Sequence, residues 1–119
     1  MDFEQWINGI VDSEHPGEDI IGFYFGIFES DPKEFTVYLT GSSEFDEEDE
    51  EWASNNNFEP EEKYLLLTQC KNFSYVKVER EVTMLIKKFL DTEVCKNSFF
   101  ARAKAIVTGF DDGDLIHIK

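Results

Sequence analysis

The sequence predicts an α+β fold in which an antiparallel sheet of about five strands packs against two or three helices. Two segments place apolar residues at helical spacing, several short segments have the apolar pattern of strands, and turn residues separate them. The 119 residues fit a single domain spanning 1–119, and the 12 phenylalanines supply much of the bulk of a core.

An apolar stripe near the N-terminus predicts the first helix. Asp2, followed three residues later by Gln5, has the pattern of a capping box. Pro16-Gly17 ends the region, and the stripe itself fits core packing. The stripe consists of Phe3, Trp6, Ile7, Ile10 and Val11.

The segment Ile20 to Phe28 predicts a central strand, because its apolar side chains alternate onto both faces. Gly22 and Gly26 lie on one of these faces, where they allow another element to approach closely. Turn residues from Ser30 to Lys33 and the alternating segment Phe35 to Thr40 predict a hairpin with this strand.

The middle of the chain combines one irregular segment with two regular ones. Residues 41–60 have no periodicity and predict a long surface loop, which is often a functional feature. Lys63 to Thr68 predicts a third strand. A second apolar stripe, from Val78 to Leu90, predicts a helix that either Asn72 or Ser74 caps.

The C-terminal segment is less uniform. Phe99 to Val107 fits either a helix or a strand, with residues 98–102 the most ambiguous. A strand over residues 103–110 is favoured because Asp111 to Asp114 has the composition of a hairpin turn. Leu115 to Lys119 then alternates as the last strand.

The charge is large and one-sided. The chain has a net charge of -15. Residues 1–66 contain 19 Asp/Glu and 2 Lys/Arg, a net charge of -17, whereas residues 67–119 contain 7 Asp/Glu and 9 Lys/Arg, a net charge of +2. Solubility alone does not require such asymmetry, so it favours a basic partner. Direct binding of nucleic acid or of anionic lipid is disfavoured by the same charge.

The acidic run from Glu44 to Glu51 is the strongest local feature, since seven of its eight residues are acidic. It lacks the central glycine of an EF-hand loop, and no metal site is predicted. Trp52 follows the run, and an aromatic residue beside a charge cluster is typical of an interface anchor. Two alternatives remain open: the run is simply a solvated loop, and Trp52 closes the edge of the core.

The turn after the fourth strand carries three further carboxylates. Two interpretations remain open: the segment is simply a turn, or its carboxylates, which exceed what turn chemistry needs, form a second acidic contact. The predicted partner-binding residues are Glu44, Asp46, Glu47, Glu48, Asp49, Glu50, Glu51, Trp52, Asp111, Asp112 and Asp114.

No catalytic or cofactor motif is present, so the sequence predicts a binding protein without enzymatic activity. His15 and His117 stand alone. Cys70 and Cys95 match neither a disulfide framework nor a zinc pattern and predict reduced thiols in the cytoplasm. The acidic N-terminus is unlike a signal peptide, and no apolar run is long enough to span a bilayer.

Several segments together resemble the small acidic immunity proteins of bacterial polymorphic-toxin and contact-dependent-inhibition systems. They are Trp6, Gly22 to Gly26, Tyr38 to Ser42, Trp52 after the acidic run, and Gly109 to Leu115. The resemblance implies a non-catalytic protein that binds a cognate toxin domain, often a basic nuclease, and blocks it. The alternatives are an acidic adaptor or nucleic-acid mimic that binds other basic proteins, and an unrecognised enzyme.

Overall fold

The computed structural model describes all 119 residues and confirms the predicted α+β class. The strands are β1 (Gly22–Asp31), β2 (Glu34–Ser42), β3 (Tyr64–Leu66), β4 (Ala105–Phe110) and β5 (Ile116–His117). The helices are α1 (Phe3–Ser13), α2 (Tyr75–Leu90) and α3 (Glu93–Lys96). Short 3₁₀ helices occupy Glu50–Ser54, Thr68–Cys70 and Phe99–Arg102.

The five strands form one sheet in the order β3-β2-β1-β4-β5. Three of the four pairings are antiparallel, but β4 runs parallel to β1, with Gly22 opposite Ala105 and Ile27 opposite Phe110. The sheet is therefore mixed rather than wholly antiparallel. The reason is the long connection through α2 and α3, which returns the chain to the end of the sheet where β1 starts, as parallel strands require.

The predicted local signals form the two longer helices. Asp2 and Gln5 make the complete capping box, with Gln5 N donating to Asp2 Oδ1 at 2.8 Å and Asp2 N donating to Gln5 Oε1 at 3.0 Å. Ser74, one of the two candidates, caps α2 by accepting from Lys77 N at 3.2 Å. None of the helices is long and apolar enough to cross a membrane.

The helices cover one side of the sheet, which we call the helix face. The large core on this side includes Phe23, Phe25 and Ile27 of β1, together with the buried stripes of α1 and α2. The opposite side, which we call the loop face, carries a smaller cluster of Tyr24, Trp52, Ala53, Ala105 and Val107. The central strand is thus covered on both sides over part of its length, as its sequence predicts.

Candidate functional site

The segment between β2 and β3 folds back onto the loop face instead of extending into solvent. Its 3₁₀ helix, Glu50–Ser54, buries Trp52 and Ala53 against the sheet. Gly22 makes this approach possible, because a Cβ at that position would lie only 2.5 Å from Trp52 Cζ3. Gly22 therefore has the role that its place on the strand predicts, and Gly26 has a similar role beneath the ring of Tyr38.

Trp52 belongs to the core of the loop face. Its side chain is only 4% exposed, and its ring packs edge-on against Phe45 with the centroids 5.5 Å apart. The predicted role of Trp52 as a surface anchor does not fit this burial, and the structure supports the alternative in which it closes the edge of the core. Its indole Nε1 is buried without a hydrogen-bond partner.

The carboxylates of the acidic run remain exposed, but several of them also shape the loop. Asp46 Oδ1 accepts from Glu48 N at 2.9 Å, and Asp49 Oδ1 accepts from Glu51 N at 3.0 Å. Asp49 thereby caps the 3₁₀ helix. The run is consequently held in turns by two of its own side chains.

The second acidic segment lies on the same face of the sheet. Asp111 Oδ1 accepts from the hydroxyl of Tyr24 at 3.2 Å and also from the hydroxyl of Tyr38. The single proton of the Tyr24 hydroxyl is shared with a second acceptor, Gly109 O, at 3.1 Å. We call Asp111, Tyr24 and Tyr38 the tyrosine clasp, because these contacts hold the β4–β5 turn over the loop face.

The clasp alters the acidity of both phenols. Burial raises the pKa of Tyr24 well above its usual range, and the negative charge of Asp111 raises it further. Burial likewise raises the pKa of Tyr38, and its hydrogen bond to Asp111 raises this pKa further. Both tyrosines are therefore neutral donors at physiological pH, as the hydrogen bonds to Asp111 require.

The two acidic segments line a common groove of about 570 Å³. Glu50 and Glu51 approach from the 3₁₀ helix, and Asp111 approaches from the β4–β5 turn. We call this the acidic groove; Tyr24, Tyr38 and Thr40 of the sheet, together with Lys63, also line it. Carboxylates that lie 60 positions apart in sequence thus meet in one concave site.

The groove includes only part of the predicted site. Glu44, Asp46 and Asp49 border a separate hollow of about 530 Å³ beside Trp52. Asp112 lines a smaller hollow of about 280 Å³ next to Phe28, which Asp111 also lines. The other predicted carboxylates, Glu47, Glu48 and Asp114, are exposed and line none of these three hollows.

A second feature of the loop face was not predicted. Phe28, Tyr38, Tyr64 and Leu66 lie on neighbouring strands beyond the area that Trp52 covers, and we call them the open aromatic patch. Tyr64 is 56% exposed and Leu66 is 47% exposed. A signal was available, since Lys63 to Thr68 is apolar on both sides of a strand that lies at the edge of the sheet.

The two cysteine thiols do not line the acidic groove. Cys70 and Cys95 are buried free thiols. Burial raises the pKa of Cys70 to about 11 and also raises the pKa of Cys95. His117 lies near the acidic run, with its Nε2 atom 3.4 Å from Glu50 Oε1.

Comparison with protein families, curated proteins and solved structures finds no match to this chain.

Proposed function

We propose that this protein is a non-catalytic inhibitor that binds and neutralises a basic cognate toxin domain, most simply a nuclease, through its acidic surface. The observation that carries the proposal is the acidic groove. Three carboxylates from both acidic segments that the sequence singles out, Glu50, Glu51 and Asp111, line this one cavity.

The groove has the chemistry needed to receive Lys or Arg side chains. Carboxylates form charge-assisted hydrogen bonds with guanidinium and ammonium groups, and Arg pairs with them in a bidentate manner. Tyrosine rings beneath the carboxylates add a surface over which a cation is attracted. Lys63 does not neutralise the groove, because its ammonium group is paired with Glu59.

The surrounding charge supports the same partner. The half-chain that carries the acidic run has a net charge of -17, which accelerates the approach of a basic protein and disfavours acidic ones. A nuclease domain presents Lys and Arg to nucleic-acid phosphates, and a dense array of carboxylates competes for the same groups. We propose that inhibition occurs in the cytoplasm by covering this active surface.

The test is co-expression with the toxin domain encoded beside this protein. Wild-type protein should protect the cells and form an isolable one-to-one complex. Glu50→Gln with Glu51→Gln should weaken protection, whereas Asp12→Asn with Glu93→Gln removes the same charge from exposed sites in α1 and α3 and should not.

Two outcomes would contradict the proposal. If cells with the wild-type protein die as fast as cells without it and no complex forms, the protein is not an inhibitor of that toxin. If instead it binds many unrelated basic proteins weakly and releases all of them in moderate salt, it is a general acidic adaptor.

A further inference from the structure

The open aromatic patch is a partly exposed region of the sheet surrounded by well-packed structure. Trp52 and Ala53 cover the loop face near Gly22, but the cluster around them does not include Phe28, Tyr64 or Leu66, and the Lys63 ammonium group lies over the rings of Tyr38 and Tyr64. Tyr64 and Leu66 consequently remain about half exposed. Large apolar side chains left together in this way are typical of interaction sites.

The patch is a preorganised surface. The rings of Phe28, Tyr38 and Tyr64 contact one another pairwise. The ring centroids are 6.0 Å apart for Phe28 and Tyr38, 6.2 Å for Phe28 and Tyr64, and 6.0 Å for Tyr38 and Tyr64. Tyr38 is further fixed by its hydrogen bond to Asp111. A partner that docks here orders few side chains, and this low entropic cost is one reason why tyrosine is frequent among the dominant residues of interfaces.

Charges around the patch favour a basic occupant. Asp111 contacts Tyr38 directly, and Asp112 lines the hollow beside Phe28. Glu50 and Glu51 lie in the adjoining acidic groove, which shares Tyr38 with the patch. The arrangement is an apolar centre with an acidic border, and the complementary surface is an apolar centre with Lys or Arg around it.

The chain itself contains an example of the expected contact. The Lys63 Nζ atom lies 5.5 Å from the centroid of the Tyr38 ring and 5.4 Å from that of Tyr64. Both distances are within the range in which a ring attracts a cation. These two rings therefore attract a cation, and a cationic side chain of a partner competes with Lys63 for them.

We infer that the open aromatic patch is the anchoring site for the basic partner, and that the partner places a leucine-like and an arginine side chain on it. The inference rests on the proposed function and specifies where the apolar part of the interface lies. It transfers the anchoring role from Trp52, which is buried, to Tyr64 and Leu66, which are exposed. The carboxylates of the groove then contribute selectivity at the border of the interface.

The test uses a defined probe, the peptide acetyl-Arg-Leu-Arg-Leu-Arg-amide, titrated into isotope-labelled protein and followed by NMR. The wild-type protein should show saturable shifts at Phe28, Tyr38, Tyr64 and Leu66. The charge-reversed peptide acetyl-Glu-Leu-Glu-Leu-Glu-amide should leave these signals unchanged. Tyr64→Ala with Leu66→Ala should weaken the affinity for the basic peptide at least about tenfold.

Val76→Ala with Met84→Ala is the matched control, because both residues are large, apolar and exposed on α2, away from the patch. This pair should leave the affinity unchanged. Leu66→Lys is a second variant that keeps Tyr64 in place and adds a charge that repels the peptide. It should reproduce the loss, and retained amide signals of β1 and β2 verify that each variant is folded.

Three results would overturn the inference. The first is the absence of saturable shifts with the basic peptide, and the second is a peptide affinity in the Tyr64 and Leu66 variants equal to that of the wild-type protein. The third is self-association of the free protein through the patch. The last result would identify a second copy of the chain as the occupant. If the protein protects cells from the toxin but binds the basic peptide equally well without the patch residues, only the inference about the patch is wrong. If the peptide binds at the patch but the protein does not protect cells from the toxin, only the proposed function is wrong.

Discussion

Trp52 shows how burial changes the role expected of a residue. Its ring fills the space above Gly22 and packs against Phe45. We therefore expect Trp52→Ala to lower the free energy of unfolding by about 3–5 kcal/mol, because removing a buried tryptophan leaves a cavity. Urea denaturation measures this loss, and Tyr64→Ala, at an exposed aromatic position, is the control with a much smaller effect. Equal losses in the two variants would contradict the assigned burial.

Gly26 is required because of the ring that lies over it. A Cβ at this position would collide with the ring of Tyr38, whose hydroxyl contacts Asp111. We expect Gly26→Ala to lower the free energy of unfolding by about 1–3 kcal/mol, since overpacking forces side chains from their preferred positions.

Gly9 provides the matched control for this substitution. It lies inside α1, and nothing lies within 4 Å of a Cβ placed there. Gly9→Ala should stabilise the protein by about 0.5–1 kcal/mol, the gain typical of replacing glycine within a helix. Thermal denaturation of both variants should give melting temperatures on opposite sides of the wild-type value, and shifts of the same sign would refute the packing argument.

The tyrosine clasp predicts a dependence of stability on alkaline pH. The pKa of a free tyrosine is about 10, and the pKa values of Tyr24 and Tyr38 are raised above this in the folded protein. The unfolded chain therefore loses protons first as the pH rises, so the stabilisation is complete below about pH 10 and declines above it. Urea midpoints measured from about pH 8 to 11 follow this decline, and Tyr38→Phe should make it shallower. An identical profile in that variant would contradict the role of Tyr38.

The acidic run contains two kinds of carboxylate, which differ in their expected effect on stability. Glu47, Glu48, Glu50 and Glu51 are exposed, and their replacement by Gln should leave the melting temperature unchanged or raise it, because repulsion between like charges is relieved. Partner binding should fall in the same variant. Calorimetry and association kinetics of one protein preparation measure both effects.

Asp46 and Asp49 provide the contrast within the run, because each accepts a backbone hydrogen bond that forms a turn. Asp46→Ala or Asp49→Ala should lower the free energy of unfolding by about 0.5–2 kcal/mol, the range for loss of a capping side chain. A large loss of stability when the four exposed glutamates are replaced by Gln, with no loss in the Asp46 and Asp49 variants, would mean that the glutamates stabilise the loop and the two aspartates do not.

Local patterns predicted the elements that depend on local physics. Three such patterns each formed the expected element: the capping box of α1, the alternation of β1 and the apolar stripe of α2. Each depends on residues that are close together in sequence. The parallel pairing of β1 with β4 was not predictable in this way, because it depends on the path of residues 67–104. Acidity identified the two segments of the acidic groove, but only the folded sheet brings Glu50 and Asp111 to one cavity.

The acidic run and the basic residues of α2 lie on opposite sides of the sheet. The acidic run lies over the loop face, whereas α2, which packs on the helix face, carries four basic residues and two acidic ones. Partner association should therefore be directed toward the loop face and should slow as salt rises. The Debye length falls from about 10 Å at 0.1 M salt to about 3 Å at 1 M, which screens long-range attraction more than close contacts.

We expect the association rate constant to fall more than the dissociation rate constant rises between about 50 and 500 mM salt. Stopped-flow mixing with the toxin domain measures the first constant, and chase experiments measure the second. An association rate constant that does not change over this range would exclude electrostatic steering.

The parallel pairing of β1 with β4 has a consequence for the order in which the protein folds. The β1–β2 hairpin joins neighbouring segments and can form early, but one edge of β1 stays empty until residues 105–110 have left the ribosome and crossed back to it. The nascent chain thus presents an unpaired, strongly apolar strand, which is a common origin of aggregation. Pulse-labelling hydrogen exchange during refolding should accordingly find the hairpin amides protected before those that join β1 to β4.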